Sequence, residues 1–478
     1  MSYFSGLAVF FCYVNQLTIL APSIVIHEQW INAAKHSVTC KSTKPRSQLR
    51  AEGHSACYVT CCSGEKPTSR ADLESALESY PKRFFQFLVR NYVSRVIIFI
   101  IYSGYIAISV WGVTSLKQGF RFSDLALEGS AYYKSSTWDF ENFKWEIPLQ
   151  IVFTSPVNYE DNQTQQKIFD FIKRLKKEHL IKDAPEINWL STYQTFSNNG
   201  SFGDKFESLR QFLNKTEIFS NDVKFSADFS SIDLSRFYVF SENLRTSDVQ
   251  GQFLLRIREL EQSSEIPCFI YSPLFVFFEQ YAIVVKSTLQ TVGIAIAAMF
   301  VVSFLFMPHP LIVAFVTVSL VSILLGVFGF LPFWGLNISS VTKIELILSV
   351  GFSVDFSAHL CHAYLTSQSD DRRNRVRDAL ELAGGPIING ALSTVIGLVM
   401  LIFSHSFIFQ SFFKVLFTVI VLGLIHAVLF LPMFLSVIGP KVRILPETEP
   451  DKRPDLYNGV DRDTHNGAHH PLVLKEMT

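Results

Sequence analysis

Long apolar runs separated by polar stretches set the pattern of the chain. Seven runs approach or exceed the roughly 18–20 residues that carry a helix across a bilayer. They cover about 3–26, 94–113, 282–307, 311–333, 344–366, 387–405 and 414–438. The pattern predicts a multi-span α-helical membrane protein.

Between the second and third runs, over 114–281, the period changes. "WEIPLQIVFTS" (Trp145 to Ser155) is β-rich. "NQTQQKIFDFIKRLKKEHLI" (Asn162 to Ile181) carries a helical stripe of Ile168, Phe169, Phe171, Ile172 and Leu175. A strand pair is expected around Val223–Phe229 and Phe237–Ser241. A second helix is expected over Ser247 to Glu265, with Ser247 as its N-cap. Strands alternating with helices predict a compact α/β module of the split-βαβ kind. At about 165 residues it can bury its own core.

Charge sets the expected topology. The loop from His27 to Arg95 has eleven Lys/Arg and six Asp/Glu. "RRNRVR" (Arg372 to Arg377) follows the fifth run, and Lys441 and Arg443 follow the last. The positive-inside bias puts all three in the cytosol and 114–281 outside or in a lumen. Three glycosylation triplets, at Asn162, Asn199 and Asn214, fall on that outer side. The first run starts without a charged segment and reads as a helix with chain before it. Segment 27–93 reads as a cytosolic linker, with an amphipathic helix in "SRADLESALESYPKRFFQFLVRN". Segment 439–478 reads as a disordered cytosolic tail. "SDDRRNRVRDALELAGGP" (Ser369 to Pro386) predicts a cytosolic helix over 369–385. Its stripe is Val376, Ala379, Leu380 and Ala383, its arginines lie around the rest, and Gly384-Gly385-Pro386 ends it. A helix on the membrane surface and a solvated loop helix both fit.

Composition narrows the function classes. Hydrophobic residues make up 49% and charged residues 18%, with 45 Phe and zero formal net charge. A neutral balance argues against nucleic-acid binding. Only Cys268 of the seven cysteines falls in 114–281, so that module holds no internal disulfide. "CYVTCC" (Cys57 to Cys62) has no second Cys/His cluster and reads as an ordinary loop. No nucleophile elbow, phosphate loop or other catalytic signature is present. The chain reads as a non-enzyme that needs no cofactor.

The candidate chemistry lies in "GFSVDFSAHLCHAYL" (Gly351 to Leu365), inside the fifth run. At 100° per residue, and taking Asp355 as zero, His359 falls at about +40°, His362 at about −20° and Glu345 at about +80°. One helix face is thus expected to carry two acids and two imidazoles and to point into a bundle. Gly351, one turn before Asp355, is expected to let a neighbouring helix approach closely. Acids are costly in a bilayer and mark ion or proton pathways. Asp355 and His359 could equally hydrogen-bond at i,i+4 and serve packing alone. Zinc would need a third ligand placed for the same ion, so no metal site is expected.

Taken together, these stretches resemble Patched-related proteins of the resistance-nodulation-division (RND) superfamily. "GFSVDFSAHLCHAYL" resembles the tenth span, with Asp355 at the GxxxD position. "FGFLPFWGLNISSVTKIELILSVGFSVDFSAH" resembles the passage from the ninth span into the tenth. "GGPIINGALSTVIGLVMLIFS" resembles the eleventh. "FKVLFTVIVLGLIHAVLFLPMFLSVIGP" resembles the twelfth and its exit, and "YSPLFVFFEQYAIV" the end of the second ectodomain. Residues 3–26 resemble the last helix of a sterol-sensing domain. The resemblance covers most of 84–440 and implies an RND-type helix bundle with one α/β ectodomain. The family has twelve spans in two repeats, and this chain corresponds to the sixth to twelfth. The first ectodomain and the fourth-span acids have no counterpart here. The implied partners are a membrane lipid or sterol, a coupling cation (H+, Na+ or K+), and the N-terminal repeat or a homologous chain. The chain alone is expected not to transport. The implied function is cation-gradient-coupled lipid or sterol transport at the plasma membrane or an endosomal or vesicular membrane. The alternative is a non-transporting lipid-sensing receptor or trafficking regulator. A seven-helix G-protein-coupled receptor does not fit, because a large folded insert follows the second span.

Overall fold

The structure is a computed structural model. It describes residues 2–36, 41–64, 84–87, 91–119, 126–127, 129–143, 146–183, 186–197, 207–307 and 309–441. Asn199, most of the amphipathic segment before the second span, and the tail beyond Lys441 lie outside the described residues.

The described helices include seven that are long and apolar enough to cross a membrane. Helix α1 (Ser2–Asn15) passes through a π-helical turn into α2 (Ala21–Asn32). Two short helices, α3 (Arg46–Ala51) and α4 (Ala56–Cys62), follow before the second span, α5 (Tyr92–Thr114). The third to sixth spans are α11 (Phe275–Phe306), α12 (Pro310–Phe330), α13 (Ser340–Thr366) and α14 (Arg372–Val399). The last is α15 (Phe407–Ile425), which continues through a π-helical turn (His426–Phe430) into α16 (Leu431–Ile438).

Between α5 and α11 sits the α/β module. After α6 (Ala131–Asn142) come β1 (Pro148–Phe153), α7 (Asn162–Lys176), α8 (Trp189–Phe196) and α9 (Glu207–Lys215). Then follow β2 (Val223–Phe225), β3 (Ile232–Phe240), α10 (Ser247–Gln262) and β4 (Cys268–Tyr271). The sheet order is β2-β3-β1-β4, with every neighbouring pair antiparallel. Strands β1 and β2 therefore run parallel with β3 inserted between them, which is the split βαβ arrangement. The inward side chains of β1 (Leu149, Ile151, Phe153) alternate with half-exposed ones, as a half-buried strand requires. Trp189 is fully buried and stacks on Phe237, ring centres 5.7 Å apart. Thr246, one residue earlier than expected, caps α10 by accepting the Val249 N–H. Ser247 occupies the first helical position instead.

Two features join module and bundle. Helix α10 packs on the start of α11, where a Cβ on Gly251 would sit 3.0 Å from the Ala282 nitrogen. The chain leaving α5 pairs with the entry to α13: Gly119 N–H donates to Ile338 O at 2.7 Å and Ile338 N–H to Lys117 O at 2.9 Å. Next to this bridge Gln118 Nε2 donates to Asp248 Oδ1 of α10 at 2.5 Å. Ser339 and Thr342 then close a capping box on α13.

Three sequence expectations change here. Gly384-Gly385-Pro386 does not end a cytosolic helix, because α14 runs unbroken from Arg372 through Pro386 into the membrane span. Its predicted stripe, Val376, Ala379, Leu380 and Ala383, is buried in the bundle core. That burial outweighs the roughly 3 kcal/mol penalty of an interior proline. Arg375 does not join the solvated arginines. It is buried, and its Nε donates to Ser369 O at 2.6 Å and its guanidinium to Pro440 O at 3.3 Å. Finally, the close helix approach is not at Gly351, where an added Cβ would meet nothing within 4 Å. It lies between α5 and α12, where a Cβ on Gly112 would fall 1.9 Å from Gly329 O and one on Gly329 2.3 Å from Ser109 O.

Gly329→Ala must force α5 and α12 apart and is expected to cost on the order of 1–3 kcal/mol. Gly351→Ala should be neutral or slightly stabilising, because alanine is the better helix former. Thermal unfolding of the two variants in lipid nanodiscs checks the contrast. Equal behaviour would contradict the packing described.

Candidate functional site

Helix α13 sorts its polar residues onto different sides. Gly351, Asp355, His359 and His362 are exposed, each about one turn from the next. Asp355, His359 and His362 line a groove of about 400 Å³ against α14, walled by Leu382, Pro386 and Gly390 among others. The groove is open. A closed bundle interior on this side is therefore not what the described helices build. The three residues share this groove, but the expectation that their face turns into the bundle is not met among the described helices.

Glu345 does not join them. It is fully buried on the side of α13 that meets α15, and its Oε1 lies 2.7 Å from Ser411 Oγ. The angle of about 80° from Asp355 is enough to separate a groove residue from a seam residue once neighbouring helices take their places.

Beyond Glu345, α13 carries Ser349, Ser353 and Ser357, all fully buried. The spacing of four keeps them on one face. Ser349 Oγ donates to Glu345 O at 2.8 Å and Ser353 Oγ to Ser349 O at 2.5 Å. Ser357 Oγ lies 3.0 Å from Ser319 Oγ of α12. Back-bonding to the helix's own carbonyls satisfies hydroxyls where no water is available. Small side chains let the helices pack closely.

A third polar group was not anticipated from the sequence. His426 opens the π-helical turn and is buried. Its Nδ1 lies 2.8 Å from Leu422 O, a carbonyl that only accepts, so Nδ1 carries the proton. Its Nε2, 2.9 Å from Ser322 Oγ, then accepts the serine hydrogen. Tyr102 OH donates to Ser322 Oγ at 3.1 Å and Tyr105 OH to Ser322 O at 2.7 Å. Phe430 and Phe434 complete the ring cage around Tyr102. The readable signal was a lone histidine in "GLIHAVLF", an apolar run. Every polar atom of the His426 ring has a partner, so this cage serves packing.

Of the glycosylation candidates, Asn162 is exposed at the start of α7 and Asn214 is exposed on α9. Among the described residues no group of three His, Cys, Asp or Glu is arranged to hold a metal ion.

The fold and its seven span helices define a multi-pass helical membrane protein. The solved hedgehog release protein Disp of the water bear Hypsibius dujardini superposes with a TM-score of 0.54 at 15% identity, over 80% of this chain and 52% of that one. In sequence, the chain is 32% identical to the pig NPC intracellular cholesterol transporter 1 over 227 residues, 47% of this chain and 18% of the relative. It is 26% identical to Caenorhabditis elegans Patched-related protein 9 over 378 residues, 77% and 44% respectively. It is 24% identical to the Toxoplasma gondii Niemann-Pick type C1-related protein over 377 residues, 75% and 31%. No protein-family model matches. The chain is thus similar in sequence to NPC1-related and Patched-related proteins and similar in fold to Disp. It spans less than half the length of these curated relatives.

His426→Ala removes the acceptor of the Ser322 hydroxyl and opens the ring cage. It is expected to lower stability by on the order of 1–3 kcal/mol. Thermal unfolding in nanodiscs checks this, and an unchanged midpoint would contradict the packing role.

Proposed function

We propose that the protein takes part in moving a lipid or sterol and that the movement is coupled to a cation gradient at Asp355. The observation that carries this reading is an acid flanked by two histidines in an open groove on a candidate span helix. A carboxylate there is costly when bare, and neutralising it with H+, Na+ or K+ removes that cost. Cation arrival therefore changes the free energy of the α13–α14 groove, and any movement that opens or closes the groove becomes linked to the ion. His359, one turn away, places an imidazole beside the acid in the same groove. His362 extends the polar path by a further turn. One charge crossing about 100 mV releases about 2.3 kcal/mol, enough to sustain a roughly fifty-fold concentration ratio.

The lipid or sterol cargo is supported by similarity to relatives, one of which is named as a cholesterol transporter. An open polar face inside a bilayer also calls for a cover. The proposed cover is a homologous N-terminal repeat, seated over Gly351, Asp355 and His359. The α/β module, joined to the α5 exit and the α13 entry, is the element that would pass groove movement outward.

The test expresses the chain in cells with and without a co-expressed homologous N-terminal repeat. Surface level and sterol efflux are followed under imposed H+, Na+ and K+ gradients. Gradient-dependent efflux is expected only with the partner. Asp355→Asn should abolish it at normal surface level, and His359→Ala should reduce it several-fold. Normal efflux by Asp355→Asn would remove the coupling role. Sterol binding without any ion-dependent efflux would favour a lipid-sensing receptor.

A further inference from the structure

The seam between α13 and α15 holds an acid that the Asp355 groove does not use. Glu345 is fully buried, and its Oε2 has no hydrogen-bond partner. Its Oε1 lies 2.7 Å from Ser411 Oγ, and that same oxygen lies 2.9 Å from Ile408 O.

The hydrogens in this short chain can be counted. A serine hydroxyl has one hydrogen to donate. Ile408 O is a carbonyl and only accepts. A carboxylate also only accepts. If Glu345 were ionised, Ser411 could satisfy one of its two neighbours and would leave the other as a close contact between two acceptors. If Glu345 carries a proton on Oε1, both contacts become hydrogen bonds. Glu345 Oε1–H donates to Ser411 Oγ, and Ser411 Oγ–H donates to Ile408 O. The remaining Oε2 is then a neutral carbonyl oxygen, which is far cheaper to leave unpaired than a buried carboxylate oxygen.

Among the described residues no charged side chain pairs with Glu345. Lys343, two residues before Glu345, donates to Ser287 Oγ of α11 at 2.6 Å. Lys414, three residues after Ser411, donates to Trp334 O at 3.2 Å. Helix α12 carries no titratable side chain. The charged residues of α14 lie in its first turns, from Arg372 to Glu381, near the far end of α13. On α11, Glu279 and Lys286 precede the apolar stretch, and on α15–α16 the remaining titratable group is His426, whose ring is already satisfied. Asp355, His359 and His362 face the groove on another side of α13. Among the described residues no ion pair reaches Glu345.

We propose that Glu345 is a proton-binding site in its own right, and that the bound proton latches α15 to α13 through Ser411. The ligand is a proton, and the site lies ten residues, or about 15 Å along the helix, from Asp355. Release of the proton would leave an anion in the seam with too few donors, so the seam would have to open for water or a cation to enter. The α13–α15 contact thereby becomes proton-sensitive independently of the groove. This inference does not rest on the coupling role of Asp355.

Infrared difference spectroscopy of the full chain in nanodiscs tests it, comparing wild type with Glu345→Gln and Ser411→Ala. Glutamine can donate to Ser411 Oγ as the protonated acid does, so Glu345→Gln should fold with an unchanged unfolding midpoint. It should lose one protonated-carboxyl stretching band. Ser411→Ala should keep that band and shift it upward in frequency, because the acid loses its acceptor. Asp355→Asn should leave the band in place. The proposal is overturned if neither Glu345→Gln nor Ser411→Ala changes the protonated-carboxyl region. It is overturned as well if Glu345→Gln removes a carboxylate band instead. Should Glu345→Gln fail to fold, the Ser411→Ala shift alone decides.

Discussion

The structure depends on one constraint: a polar group inside a hydrocarbon layer must find a partner within the protein or face an aqueous or polar lining. Each unsatisfied group otherwise costs several kcal/mol. Helix α13 is the element in which that constraint is most visible. It carries Glu345, Ser349, Ser353, Asp355, Ser357, His359 and His362 within one span. Ser349 and Ser353 donate to carbonyls of their own helix, while Ser357 and Glu345 find partners on α12 and α15. Asp355 and the histidines cannot be closed in this way and gather in the groove against α14. The same rule shapes the rest of the bundle. The π-helical turn at His426 brings an imidazole to Ser322, and Ser322 gathers two tyrosine hydroxyls.

The α5–α12 pair combines close packing with polar contacts: its backbones approach at Gly112, Gly329 and Ser109, and Tyr102 and Tyr105 of α5 donate to Ser322 of α12. Across the α13–α15 contact Ser411 and Glu345 meet. A glycine crossing has no spare partner to exchange and is rigid. A contact between one hydroxyl and one acid can be rewired by moving hydrogens. The rigid crossing leads through Lys117 and Gln118 into the α/β module, and the rewirable seam runs beside the groove.

Much of this was legible in the residues. Run length alone predicts the spans, and the strand-helix alternation predicts the split βαβ module. Helical angles correctly group Asp355 with His359 and His362. They fail for Glu345, because an angle on one helix says nothing about where the next helix stands. Gly351 failed for a related reason: glycine permits a close approach, but only a neighbour can make one. Gly384-Gly385-Pro386 reads as a helix end from local propensity, and burial of the Val376–Ala383 stripe overrides it. The His426 cage was missed because its partners, Ser322, Tyr102 and Tyr105, lie more than 100 residues away in the chain.

The central claim is that α13 has an open groove face and a closed serine face. Site-directed spin labelling of the full chain in nanodiscs, with the native cysteines replaced, measures this directly. Labels are placed one at a time through Gly351→Cys, Asp355→Cys and His359→Cys, and through Ser349→Cys, Ser353→Cys and Ser357→Cys. Collision with oxygen and with a water-soluble nickel chelate reports access from lipid and from water. The account predicts collision with one or both reagents at 351, 355 and 359, and with neither at 349, 353 and 357. Uniform access along the helix, or access at the serine positions in place of the groove positions, would contradict it.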